Sequence, residues 1–431
     1  MLLRQARVGG PLSGGMWGAP AGACGYALVC LKWSSIMPCM RMHPPCDLFV
    51  LAAESSGDAY AAALVAQLKR CHPDLVVAAM GGPALQAAGA EIEEGIDGLD
   101  VMGFVPVLAR LGTFVALQRR VQQIIRARRP RLVLSIDYPG FNLRLHRSLA
   151  DLRQAGTRLV HIVAPQVWAW RPRRAKRIAA SVDHLLCFFP FEPPLFARFG
   201  ADARFIGHPL VDLVATQGHA DRIQVERELG LAPGDDLLLL APGSRRREVE
   251  DLLPVFHAAA RLAEPWLRRL SGGRVVIAVS SVATVPRAVY RAHTDAPLVE
   301  DNYRGLCARA RMAVVASGTA TLEAALLGLP HVIAYRGDAL TMAVMRRLIR
   351  TPHIGLTNIV HNRRLVPELL QRELTPARLA ARMVALWRNE RHRRVATALA
   401  TTAERLGGGG ALARAAELLG SMLSEPVARP D

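Results

Sequence analysis

A chain of 431 residues that is 51% hydrophobic is too long for one ordinary domain and holds enough apolar material for two cores. Its formal charge of +18 attracts phosphorylated substrates, anionic lipid and nucleic acid alike, and rests almost wholly on arginine, since the lysines are Lys32, Lys69 and Lys176. No apolar run reaches the roughly 18 to 20 residues of a membrane-spanning helix, and the seven cysteines lack the paired spacing of a disulfide framework or a zinc site.

The first 46 residues, rich in Gly, Ala and Pro, show no steady period, and Arg4 and Arg7 precede a broken apolar run rather than a signal-peptide core. They are expected to be an extension, with the native start near Met40 or Met42. From Asp47 onward short apolar runs alternate with helix-period segments, the pattern of parallel sheets covered by helices. Strands are expected at Leu48–Ala53, Leu75–Met80, Leu132–Ile136, Leu159–Val163 and Leu185–Phe189. A second series follows at Leu237–Ala241, Val275–Val279, Met312–Ala316 and Val332–Tyr335. A polar linker near 212–225 separates them, giving an extension at 1–46, a first domain at 47–213, a second at 214–385 and closing helices at 386–431. The expected fold is α/β, two doubly wound Rossmann-like domains facing across a cleft, with ligands at the carboxyl ends of the strands.

Those strand ends carry the chemistry. Glu54-Ser55-Ser56-Gly57-Asp58 follows the first strand, where small residues admit a ligand to the backbone or simply cap a helix. Gly81-Gly82-Pro83 gives a second close-approach loop. Between Phe104 and Arg129, apolar residues including Leu111 and Phe114 mix with arginines, which suits either a lipid surface or a core-facing helix with a basic outer face. Asp137, at the end of a strand, is a candidate general base for a sugar hydroxyl, or an acceptor of backbone bonds in the turn imposed by Pro139 and Gly140. Trp168 and Trp170, next to Arg171, Arg173, Arg174, Lys176 and Arg177, offer stacking and phosphate contacts. His208, between Gly207 and Pro209, faces the cleft if that turn is the hinge.

In the second series, Gly243-Ser244-Arg245 places a flexible loop, a hydroxyl and a guanidinium where a helix begins, suited to a diphosphate. Ser317-Gly318-Thr319 does the same after another strand, and Glu323 lies one helical turn on. With Ala320 where a capping partner would stand, Glu323 is left to accept ribose hydroxyls or to follow the helix dipole. Neither G-x-G-x-x-G before a spaced acidic residue nor G-x-x-x-x-G-K-[ST] occurs, and no carboxylate set suits a metal, so neither cofactor nor metal is expected.

Nine separated motifs in order resemble the lipid-A-disaccharide synthase family, over the stretch from about Asp47 to beyond Gln371. They are the segments 53–58, 81–83, 101–103, 136–142, 167–171, 207–210, 242–245, 317–323 and 366–371. The resemblance implies a GT-B fold and an inverting, metal-independent glycosyl transfer in lipid A biosynthesis. It further implies a UDP-diacylglucosamine donor, a diacylglucosamine 1-phosphate acceptor, and peripheral attachment to the anionic cytosolic face of a Gram-negative inner membrane. Nucleic acid is not an expected partner, and a homodimer is left open. The implied catalytic residues are Asp137 and Glu54. The implied UDP-sugar site comprises Gly243, Ser244, Arg245, Ser317, Gly318, Thr319, Glu323 and Asn358. The acceptor and its lipid fall to Ser56, Asp58, Met102, Phe104, Leu111, Phe114, Asn142, Trp168, Trp170, Arg171 and His208. Gly140 stands where many members carry a second Asp, so no carboxylate pair is expected and the base role falls on Asp137, while Pro106 replaces a commonly acidic residue and removes a contact expected after Met102. The rivals are a UDP-sugar 2-epimerase, a peptidoglycan-type glycosyltransferase and a basic nucleic-acid-binding protein.

Overall fold

Five consecutive apolar residues, Leu48–Ala52, form β1 with every side chain buried, as a strand covered on both faces requires. Residues 43–96, 111–170, 172–337 and 352–425 are described in this computed structural model, without the side chains at 111, 169, 170, 172 and 216–220. In the first sheet β1 pairs in parallel with β2 (Val77–Gly81) and β4 (Leu132–Ile136), Leu48 standing beside both Val77 and Leu132. Adding β3 (Glu91–Gly95), β5 (Arg158–Ile162), β6 (His184–Cys187) and β7 (Asp202–Phe205) gives the order β3-β2-β1-β4-β5-β6-β7. The second sheet repeats the plan as β10-β9-β8-β11-β12-β13, from β8 (Asp236–Ala241), β9 (Val275–Ser281), β10 (Leu298–Glu300), β11 (Met312–Ala316), β12 (His331–Tyr335) and β13 (Glu368–Leu370). In each, chain direction along the sheet reverses between two central strands, β1 and β4 or β8 and β11.

Period-two alternation along the strands builds a layer on each side of each sheet. Leu48, Val50 and Ala52 join Leu64, Val65 and Leu68 of the helix Ser55–Cys71 on one side, while Phe49 and Leu51 join Leu117, Val121, Phe141 and Leu145 on the other. Leu238 and Leu240 likewise meet Val249, Phe256, Met383 and Trp387, opposite Leu237 and Leu239 with Val225 and Leu306.

The expected linker is instead a continuous helix, Leu210–Glu228. Its sparse apolar residues gave it a structure-poor reading, yet Val211, Val214 and Val225 are buried. It lies against the helix Tyr303–Arg309 at Gly305, where an added Cβ would come within 2.5 Å of the Asp221 carbonyl. The last helix, Ala411–Ser424, returns to the first sheet and packs Ala415, Leu419 and Met422 beside Leu64 and Leu68. Pro45–Asp431 forms one compact unit. Within it Phe189 and Leu210 meet Leu322, Val360 and Leu406 in one apolar cluster, which joins the carboxyl-end loops of both sheets.

Candidate active site

The reversal of strand order opens a crevice beyond the carboxyl ends of the central strands, and the nominated turns after β1, β4, β8 and β11 stand at those ends. In the first sheet the turns after β1 and β4 are neighbours, because Ala52 stands beside Ile136. Asp137 and Tyr138 both take left-handed backbone, φ 47° and 45°, a conformation that costs a non-glycine residue about 1–3 kcal/mol. Buried Asn142, one turn into the helix Pro139–Ser148, holds this shape by donating its amide to the carbonyls of Ile136 (3.3 Å) and Asp137 (2.7 Å). Asn142 is therefore a brace for the turn, not a surface that meets an acceptor directly. The Asp137 carboxylate reaches solvent, yet the surrounding protein desolvates it enough to raise its pKa, against a backbone hydrogen bond at Tyr138 that lowers it.

Several other expected contacts turn out to be internal. Asp58 is buried and accepts from the backbone N–H groups of Gly82 (2.7 Å) and Ala84 (3.0 Å), tying the turn after β1 to that after β2. The glycines at 81 and 82 make room for this protein contact, since a Cβ on Gly82 would stand 2.7 Å from Asp58 Oδ2. Trp168 donates its indole N–H to Glu192 (3.2 Å) and sets its ring edge-on to Phe191. Burial pushes the pKa of Glu192 up to about 7, although Phe189 N–H and Trp168 donate to it. His208 is buried between Phe188 and Phe189, accepts from Leu210 N–H at 3.2 Å, and has its pKa lowered by burial to about 4. It lines an aromatic seam rather than a cleft. Glu54 and Ser56 stand at the start of the helix Ser55–Cys71, with Ser56 exposed. Phe114 edges a cavity of about 220 Å³ that also takes in Val115, Tyr138 and Phe141. Met102, Phe104, Arg171 and the side chains of Leu111 and Trp170 lie outside the described residues.

In the second sheet the loop after β8 is already filled. Gly243 (φ 110°) leaves space that the Glu248 side chain enters, and Glu248 accepts from the N–H groups of Ser244 (3.2 Å) and Arg245 (3.3 Å). Arg245 also pairs with Glu248 at 3.5 Å. Sequence reasoning missed this glutamate, although its place in the first turn of the helix Arg246–Ser271 follows the rule for acidic residues there.

The turn after β11 is built differently. Gly318 precedes the helix Thr319–Leu326 in extended backbone, and among the described residues beyond its chain neighbours no atom lies within 4 Å of an added Cβ. Tyr303 donates to the Ala320 carbonyl (2.7 Å), and Arg304 donates to Glu323 Oε2 (2.8 Å), so the helix start is anchored from behind. Arg304 is a second residue that sequence reasoning missed. Asn358, expected in the cleft, is fully buried and bonded at both ends of its amide, to Glu368 and Val366 on one side and to Leu365 and Val366 N–H on the other. It knits the loop before β13 and offers nothing to a ligand. Among the described residues no group of three His, Cys, Asp or Glu could hold a metal ion, and no helix is long and apolar enough to cross a membrane.

The family model for lipid-A-disaccharide synthetase matches residues 48–417. The chain is 37% identical over 349 residues to the lipid-A-disaccharide synthase of Chromobacterium violaceum, spanning 78% of this chain and 87% of that one. It is 35% identical over 389 residues to the synthase of Trichlorobacter lovleyi (90% and 100%) and 39% over 388 to that of Ruegeria pomeroyi (86% and 94%). Among solved structures it resembles the calicheamicin glycosyltransferase CalG4, with TM-score 0.56, 16% identity and coverage of 88% and 98%. It also resembles a UDP-GlcNAc 2-epimerase from Neisseria meningitidis, with TM-score 0.57, 11% identity and coverage of 86% and 98%. At such identities the structural likeness is one of fold, the two-sheet GT-B architecture. Sequence identity over most of the chain decides between the transferase and the epimerase: the chain belongs to the lipid-A-disaccharide synthetase family, glycosyltransferases of lipid A biosynthesis.

Proposed function

We propose that the enzyme joins UDP-2,3-diacylglucosamine to 2,3-diacylglucosamine 1-phosphate, releasing UDP, with Asp137 as the general base. The Asp137 carboxylate takes the proton of the acceptor's 6-hydroxyl. That oxygen bonds to the donor's anomeric carbon from the face opposite UDP, and the bond to the diphosphate breaks with its electron pair leaving on phosphate oxygen. Configuration inverts. The observation that carries this reading is the braced left-handed turn at Asp137, which fixes one accessible carboxylate at the first sheet's crevice. A base held in this way needs no reorganisation as charge develops.

The donor falls to the turn after β11, where Ser317, Gly318 and Thr319 present a helix start to the diphosphate. Glu323, oriented by Arg304 through one oxygen, keeps Oε1 for the ribose. Arg245 supplies positive charge from the neighbouring loop, while Gly243 and Ser244 shape that loop around Glu248. Glu54 and Ser56 border the acceptor, and the cavity edged by Phe114 and Val115 gives apolar cover for acyl chains at the cytosolic face of an anionic membrane. The test is incubation of the purified chain with defined donor and acceptor, followed by chromatographic detection of the disaccharide 1-phosphate. No disaccharide, or sugar epimerisation in its place, would sink the reading. Loss of vesicle flotation in a Phe114→Ser/Val115→Ser variant is expected, and unchanged flotation would remove the membrane role from this face.

A further inference from the structure

A second cavity, of about 320 Å³, begins at the same turn. It is lined by Pro139, Gly140, Leu143, Arg144, Arg147, Arg174, Arg177, Ile178 and Ser181. Two helical stripes supply it. Gly140, Leu143, Arg144 and Arg147 are spaced i, i+3, i+4, i+7 along the helix Pro139–Ser148, and Arg174, Arg177, Ile178 and Ser181 repeat the spacing across the helix Ala175–Ala179. Each stripe sets two guanidinium groups three residues apart, where like charges repel. No carboxylate is among the described residues that line the cavity.

The arginines of this half divide between those held in ion pairs and those that join none among the described residues. Arg120, Arg126, Arg153, Arg158 and Arg204 of the same half each pair with a carboxylate. Arg144 and Arg177 join no ion pair among the described residues. Arg144 and Arg177, at one small cavity with Arg147 and Arg174, match the charge and the several acceptor oxygens of a phosphate monoester. Arg144, Pro139 and Gly140 also line the apolar cavity of Phe114, Val115, Tyr138 and Phe141, so an anionic pocket and an apolar trough share one wall. That wall lies two and three residues beyond Asp137.

We propose that the pocket of Arg144, Arg147, Arg174 and Arg177 binds the acceptor's phosphate, and that the trough sharing its Arg144 wall takes one of the same molecule's acyl chains. The assignment rests on the acceptor named above. A 2,3-diacylglucosamine 1-phosphate carries its phosphate on C1 and its 6-hydroxyl on the arm from C5, on either side of the ring oxygen, and its acyl groups on C2 and C3, so that three sides of one molecule are assigned to the pocket, Asp137 and the trough. Holding it at the phosphate presents the hydroxyl to the base and rejects acceptors without that phosphate.

The experiment uses the full chain and an R144Q/R177Q variant, whose altered side chains are exposed and whose melting temperature is expected to match the parent. The acceptor KM should rise about tenfold or more, with donor KM and kcat within about twofold. An acceptor lacking the phosphate should serve both proteins equally poorly, and inorganic phosphate should compete with acceptor only in the parent. An unchanged acceptor KM overturns the proposal. So does an equal rise in KM for the phosphate-free acceptor, which would mean that the arginines act on something else. Loss of flotation on phosphatidylglycerol vesicles at unchanged acceptor KM would assign the pocket to membrane headgroups instead. A parent enzyme that forms no disaccharide overturns the functional reading, whereas disaccharide formation with an insensitive variant overturns only the pocket.

Discussion

The turns after β4 and after β11 occupy equivalent places in two similarly wound sheets, yet they are built on opposite principles. At Asp137 two successive non-glycine residues are forced into left-handed backbone and tied down by a buried amide. At Gly318 the backbone is extended and unstrained, and among the described residues none beyond its chain neighbours comes within 4 Å of an added Cβ. In the role proposed for Asp137, a group that takes a proton within hydrogen-bond reach gains from being fixed, at the cost of strain. In the role proposed for it, a turn that admits and releases a nucleotide gains from clearance, and its rigidity comes from behind, through Tyr303 and Arg304.

The contrast is open to attack from the largest expected effect downward. Asp137→Asn should lower kcat by about 10²- to 10⁴-fold with melting unchanged, and near-normal turnover would break the comparison at its first term. Because burial raises the Asp137 pKa, the acid limb of the parent's pH–rate profile should lie above the ordinary aspartate range near 4 and vanish in the variant.

Acid should also separate the halves. His146 and His161, fully buried in the first half, have pKa values lowered by burial to about 3 and about 4, and His331 in the second half to about 4. Each takes up a proton on unfolding below about pH 6.5 but not in the folded state, so stability falls as pH drops from there toward the folded values. The slope is about 1.4 kcal/mol per pH unit for each fully buried ring. His146 faces His161, Ser181 and Arg153, and His161 shares a 2.7 Å hydrogen bond with Ser135; no carboxylate is among these neighbours to oppose the shift. Hydrogen exchange followed from pH 7 to 4.5 should show β4 and β5 losing protection before β11 and β12. Simultaneous loss would refute the ordering.

Asn142→Ala should cost about 1–3 kcal/mol by leaving two carbonyls without their donor, and should lower kcat more than it raises acceptor KM. Denaturant titration with steady-state kinetics checks both. Gly243→Ala, at φ 110° and with its Cβ 2.2 Å from Glu248, should cost about 1–3 kcal/mol in the same titration. Gly318→Ala is the mildest: stability within about 0.5 kcal/mol of the parent, with a severalfold rise in donor KM. If Gly318→Ala destabilised the protein as much as Gly243→Ala, the distinction between a filled and a clear turn would fail.

The central strands were legible because burial on both faces makes them uninterrupted apolar runs, as Leu132–Ile136 and Met312–Ala316 show. The four strands that escaped, β3, β7, β10 and β13, are the sheet edges. Glu91–Gly95 and Asp202–Phe205 carry charge at alternate or successive positions because one side of an edge strand meets solvent or covering loops. Strand ends showed where the crevices lie, but not which polar residues turn inward. Asp58 and Asn142 sit in motifs that resemble ligand contacts, Asn358 was expected beside the donor, and each is bonded to backbone instead. A short polar side chain beside a tight turn serves the chain or a substrate equally well, and only the partners distinguish the two. Arg304 and Glu248 were hidden for the converse reason, since their roles depend on elements distant in sequence or on space left by a glycine.

The return of the helix Ala411–Ser424 to the first sheet has a consequence for synthesis. Its Ala415, Leu419 and Met422 cover Leu64 and Leu68, Arg414 donates to the Ile206 carbonyl, and Arg158 pairs with Glu425. As the ribosome delivers the chain, the half that emerges first therefore stays unfinished, its apolar flank uncovered, until Ala411–Ser424 has been added. The second half has its own layers complete by then, so the part made earlier is the part that closes last.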